Sequence, residues 1–113
     1  MTVASLPHHV ATMRLFVSAV ARVTGLDVET VDDAKLAVSE LATAIVEAGE
    51  AEYITLRATP VEGRLTLVIG PWREGLGEKE EFGALEIAQA LFSGTSVGGG
   101  FVVLAIEPSD SDG

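Results

Sequence analysis

The apolar residues of this chain change their spacing sharply near Tyr53, and that change limits the fold more than any other feature. Before it, apolar residues recur three and four positions apart, as on one face of a helix. After it they alternate, as on a half-buried strand. A chain that is helical first and stranded afterwards cannot be a bundle or an all-β barrel.

From Pro7 to Thr24, Val10, Met13, Val17 and Val20 form a helical stripe, with Leu15, Phe16 and Val23 widening it. Pro7 suits a first turn and Gly25 an end. Thr30 with Asp33 predicts a capping box for a second helix reaching about Gly49, with Ala34, Ala37, Val38, Leu41, Ile45 and Ala48 on its core face. Ile54, Leu56 and Ala58 then alternate with Thr55, Arg57 and Thr59. Pro60 to Gly63 reads as a turn, and Leu65, Leu67 and Ile69 return as the second strand of a hairpin. Gly70, Pro71 and Trp72 break that strand, and Arg73 to Glu81 reads as an exposed charged loop. Phe82 to Phe92 is a short helix, Ser93 to Gly100 a turn, and Phe101 to Ile106 a nearly all-apolar central strand. Met1 to Ser5 is a lead and a candidate edge strand. The expected architecture is α+β: a two-layer sandwich with helices on one face of a mixed, mostly antiparallel sheet. Residues 1–107 make one domain, and 108–113 an acidic tail with no means of packing.

The chain has 113 residues, 48% of them hydrophobic, enough for one packed core and too many for a disordered chain. Seventeen acidic residues against seven Lys and Arg give a formal charge of −10. That balance argues against nucleic acid and anionic membranes, both of which need a basic footprint. Basic protein surfaces remain plausible partners. With no cysteine, disulfides and thiolate metal sites are excluded, and the cytoplasm is the expected location. No apolar stretch is long enough for a membrane span and no signal-peptide pattern opens the chain. Mean hydropathy is +0.39, high for so small a chain, which suits a surface buried against a partner or a second copy.

Candidate chemistry is sparse. His8 and His9 are adjacent on a helix and point about 100° apart, so they read as helix-start residues and no metal site is expected. There is no nucleophile elbow and no Walker-type phosphate loop. Gly98, Gly99 and Gly100 precede a strand, not a helix, and read as a hairpin turn. Trp72 reads as a core lid or an interface anchor, and Glu78 to Glu81 as a solvated face. Leu36, Glu40, Ala44 and Glu47 line up along the margin of the second helix. Glu40 there is either a solvated carboxylate or a general base.

The run Asp33-Ala34-Lys35-Leu36-Ala37-Val38-Ser39-Glu40-Leu41-Ala42-Thr43-Ala44-Ile45-Val46-Glu47-Ala48-Gly49 resembles the first ATP-site box of the GHKL (Bergerat-fold) ATPases. It is most similar to the anti-sigma factor serine kinases of bacterial partner-switching systems, whose helix reads approximately D-x-x-L-A-V-S-E-A-x-T-N-A-I-E-H-A. Arg14-Leu15-Phe16 within Val10 to Val17, and Gly25-Leu26 after it, resemble the opening helix of that family. The resemblance runs from Pro7 to Ile106 and is strongest in the first two helices. It implies a Bergerat-like fold, a sigma factor or STAS-type antagonist as partner, a homodimer, and a role in transcription or stress signalling.

The same resemblance marks departures at the nucleotide site. Glu40 matches the family's general base. Ala44 stands where the family has the Asn that holds Mg²⁺, and it has no ligand atom. Gly70-Pro71-Trp72 stands where the family has the adenine-binding Asp of a D-x-G-x-G run. Gly83-Ala84-Leu85 keeps one glycine of the glycine-rich helix start. Glu40, Ala44, Gly70 and Gly83 are thus the matching site positions. A buried adenine amino group without its acceptor would cost roughly 1–3 kcal/mol, and phosphoryl transfer leans heavily on a metal. No cofactor is expected, with ATP and Mg²⁺ binding only if other residues rescue the site. Three functions stay open: a pseudo-kinase that regulates by binding a protein, an ATP-dependent serine kinase with a divergent site, and a structural α+β assembly module.

Overall fold

A computed structural model describes residues 1–77 and 83–108. Of the predicted tail at 108–113, residues 109–113 lie outside the described residues, as does the predicted solvated face at Glu78–Glu81. The order of elements is β1 (Thr2–Ala4), α1 (His8–Thr24), α2 (Val28–Ala48), β2 (Tyr53–Val61), β3 (Arg64–Gly70), α3 (Ala84–Leu91), β4 (Ser96–Gly98) and β5 (Phe101–Ile106). The strands form one sheet in the order β1-β2-β3-β5-β4, and each of its four pairings is antiparallel. α1 and α2 pack on each other and on the sheet, and α3 packs on α2. This is the expected α+β architecture. The lead at Met1 to Ser5 does supply an edge strand, Thr2–Ala4 against Tyr53–Thr55.

The helix pair is set by its corner. The Gly25 amide donates to Arg22 O at 3.0 Å and the Leu26 amide to Ala21 O at 3.1 Å, a Schellman ending that needs the left-handed φ of +88° at Gly25. Two residues later Asp27 adopts an extended conformation and caps α2, accepting from the Thr30 amide at 3.4 Å, and the Thr30 hydroxyl also donates to it. This corrects the predicted capping box. Thr30 sits inside the first turn, because Asp27 already holds the free amides at the helix start.

One core runs between the layers. Met13 and Val17 of α1, Val38, Leu41 and Ile45 of α2, and the inward rows Ile54–Leu56, Leu65–Leu67–Ile69 and Val102–Leu104–Ile106 are all buried. Leu15 and Val23, expected to widen the α1 stripe, are instead 72% and 85% exposed. The turn predicted at 60–63 narrows to Glu62 and Gly63, with Pro60 paired opposite Leu65 in the strand. Pro60 occupies a non-hydrogen-bonded position of that hairpin, beyond the reach of β1, so its missing N–H costs no ladder bond.

The segment expected to be a simple turn at 93–100 contains β4. Thr95 organises it, since its hydroxyl donates to Phe92 O at 2.7 Å and Ala88 O at 3.2 Å at the end of α3. Gly99 and Gly100, both at positive φ, then make the two-residue hairpin to β5. β5 lies between β3 and β4, as an interior strand should.

Candidate functional site

Helical spacing puts Glu40, Thr43, Ala44 and Glu47 along one flank of α2. Across from them stand Arg73, Gly75, Gly77 and Ala84, and together they enclose a cleft of about 400 Å³. Glu40 and Ala44 are half-buried, whereas Glu47 is exposed. The far wall exists because the segment after β3 folds back on α2. Arg73 Nε and Nη2 donate to the two Glu50 carboxylate oxygens at 2.7 and 2.9 Å, a bidentate pair beyond the Gly49 C-cap. Arg73 Nη1 also donates to Glu74 O at 3.0 Å. Hydrogen bonding from the guanidinium holds the Glu50 carboxyl below the usual carboxylate range, and the carboxylate in turn raises Arg73.

Within the predicted loop, the described residues 73–77 are therefore not simply exposed. Leu76 is buried, and Gly77 adopts a φ of +78°. A Cβ at Gly77 would lie 3.3 Å from Ala44 Cβ, so backbone comes close to the position where the family carries its Asn.

Of the four site positions, the structure brings Glu40 and Ala44 together in the cleft. Gly83 is the buried N-cap residue of α3, beside the cleft-lining Ala84. Gly70 is elsewhere. A Cβ there would lie 2.5 Å from Phe101 Cδ1 and 2.8 Å from Gly100 O, so this glycine serves the contact with the β4–β5 hairpin. Nor do Pro71 and Trp72 line the cleft. They border a smaller cavity of about 200 Å³ with Ile45 and Leu76, on the other side of the Glu50–Arg73 pair, and Trp72 is 5% exposed, as a core lid. His9 Nδ1 lies 2.8 Å from Ala4 O and ties α1 to β1. Among the described residues no three His, Asp or Glu side chains converge to hold a metal.

Glu50, Arg73 and Gly77 are cleft-lining residues that sequence reasoning does not find. Two glycines two apart, Gly75 and Gly77, are the only local signal, and no pattern pairs Arg73 with Glu50 across 23 residues.

Among the described residues the lining does not fit a magnesium nucleotide. Among the described residues that line the cleft, Glu40, Glu47 and Glu50 accompany one guanidinium, which Glu50 already engages. A polyphosphate brought here would meet a surplus of like charge, and Ala44 offers no oxygen to a metal bridging the phosphates.

A family model described as the histidine kinase-like ATPase domain matches residues 3–89. The match covers β1 through most of α3 and ends before β4. No individual curated protein matches the chain.

Proposed function

The chain belongs to the histidine kinase-like ATPase domain family, and from that premise we propose that it is a regulator of the anti-sigma type that acts by binding a protein and does not turn over nucleotide. One observation carries this reading: Ala44 stands at the metal-binding position with the Gly77 backbone closing on it, inside a cleft with three carboxylates. The protein partner is a sigma factor or a STAS-type antagonist in the cytoplasm, and the regulator works as a homodimer, by the resemblance of its first two helices to that group.

A second reading, an ATP-dependent serine kinase acting on such an antagonist, draws on one specific observation. Glu40, the residue matching the family's general base, is half-buried and faces the cleft. The two readings part at nucleotide binding. Calorimetric titration with ATP and ADP, with and without Mg²⁺, is expected to give no heat up to about millimolar nucleotide. Micromolar binding would overturn the non-catalytic reading. Loss of partner phosphorylation in Glu40→Ala would then establish the kinase. No helix among the described residues is long and apolar enough to cross a membrane.

A further inference from the structure

Another groove, of about 370 Å³, lies between the turn after β3, the first turn of α3 and the β4 edge of the sheet, which no strand among the described residues pairs. Trp72, Leu76, Leu85 and Val97 supply its apolar lining, and Glu74 and Glu86 stand at its sides, both exposed. One wall is β4, the last strand of the sheet. That wall lies beyond residue 89, where the family match ends.

The hairpin geometry says what the free edge offers. Gly98 and Phe101 flank a two-residue turn, so they are a hydrogen-bonded pair, and so is Ser96 with Val103. The intervening Val97 is a non-hydrogen-bonded position. Its N–H and C=O point away from β5 toward the edge, while its side chain, 47% exposed, lines the groove. An outward backbone pair thus stands beside an apolar trough, the combination that strand addition uses.

We propose that this groove docks an extended segment of a partner protein, in which apolar residues alternate with Lys or Arg. Backbone pairing at Val97 holds the segment in register, apolar side chains enter the trough over Trp72 and Leu85, and the cations meet Glu74 and Glu86. Among the described residues the lining contains two carboxylates and no cation, which favours a basic segment, and a net charge of −10 steers such a segment toward the protein. The same charges oppose a second copy of this chain. A second copy would bring a net charge of −10 of its own to a groove already flanked by Glu74 and Glu86. This inference does not depend on whether the α2 cleft takes nucleotide.

The test uses the full chain and an acetylated, amidated heptapeptide alternating Lys and Val. Trp72 is the one tryptophan and reports from inside the groove. A saturable change in its emission is expected, weakening with salt. Val97→Pro removes the outward N–H and should weaken binding by about tenfold or more, with the circular dichroism melt unchanged. The double variant Glu74→Lys, Glu86→Lys leaves the backbone alone. It should lose the Lys/Val peptide and take a Glu/Val peptide instead, which decides the matter should Val97→Pro melt early. No emission change up to about millimolar peptide overturns the proposal. So does equal affinity of a folded Val97→Pro, or indifference of the double variant to peptide charge. An emission change with protein concentration alone would put a second copy in the groove and equally overturn it. Calorimetry with nucleotide reads the other cleft, so failure there is distinguishable from failure here.

Discussion

The two faces of α2 obey different rules. On one, Ala34, Ala37, Val38, Leu41 and Ile45 are buried against α1 and the sheet. On the other, Glu40, Ala44 and Glu47 line an open cleft against a folded-back turn. The first face is constrained by packing density, where a lost methylene is felt. The second is constrained by chemistry and by one close approach, Gly77 on Ala44. A helix can therefore keep its family's fold on one side while its site residues change on the other. The structure shows both kinds of face on α2: a fully buried core row, and a cleft row with an alanine at position 44.

The largest expected effect breaks this comparison most directly. Leu41, fully buried, is the neighbour of Glu40 in sequence but faces the core. Leu41→Ala should cost about 2–5 kcal/mol in urea unfolding, whereas Glu40→Ala should stay within about 0.5 kcal/mol. A comparable cost for both would mean that the cleft face is structural, and that Glu40 is held there by packing.

A second contrast sets Gly70 against Gly83, two positions that the sequence resemblance assigns to a nucleotide site. Gly70→Ala forces a Cβ against the Phe101 ring and the Gly100 carbonyl. Overpacking of that kind should destabilise the fold by about 1–3 kcal/mol. Gly83 adopts an ordinary extended backbone, φ −67°, so Gly83→Ala lacks a backbone penalty of the left-handed kind. Thermal melts of Gly70→Ala that match the parent chain would show that the β4–β5 hairpin yields easily, and would weaken the assignment of Gly70 to the fold.

How much was legible follows from which residues carry period. α1, α2, the hairpin and β5 announce themselves because their apolar residues repeat over several turns or pleats. β4 does not, since Ser96–Gly98 contains one apolar residue amid glycines and three residues cannot show alternation. The breadth of the α1 stripe also misleads. Leu15 and Val23 are apolar but lie outside the arc that α2 and the sheet cover, and apolarity alone does not say where a neighbour stands. At the cleft, Glu40 and Ala44 were legible through helical spacing. Its opposite wall was not, because Glu50 and Arg73 meet only after β2 and β3 have been laid down between them.

The start of α2 sharpens the same lesson at smaller amplitude. Asp27 and Thr30 are both good capping residues, and sequence pattern favours Thr30. The structure gives the cap to Asp27. Asp27→Ala should cost about 1 kcal/mol by loss of the cap. A larger loss in Thr30→Ala than in Asp27→Ala, measured by chemical denaturation, would return the helix start to Thr30. Thr30 is buried, so Thr30→Val is the fairer comparison for its hydroxyl alone.

The smallest effect concerns the latch that closes the cleft. Glu50 and Arg73 are both exposed, and such pairs contribute little because water and salt screen them. Its pH dependence nevertheless has a definite sign. The Glu50 carboxyl is held below its ordinary value, first by the hydrogen bond from Arg73. The folded state therefore gains from this pair above the ordinary carboxylate range, and loses the gain as pH falls through the lowered value. Glu50→Gln should melt slightly below the parent chain at neutral pH, and the gap should close in acid and shrink in high salt. A gap that persists unchanged below the carboxylate range would mean that Glu50 acts through shape and not charge. The wall formed by Arg73, Gly75 and Gly77 would then owe its position to Leu76 in the core and Gly77 on Ala44. Those contacts persist in acid, and the cleft would keep its form when the ion pair is gone.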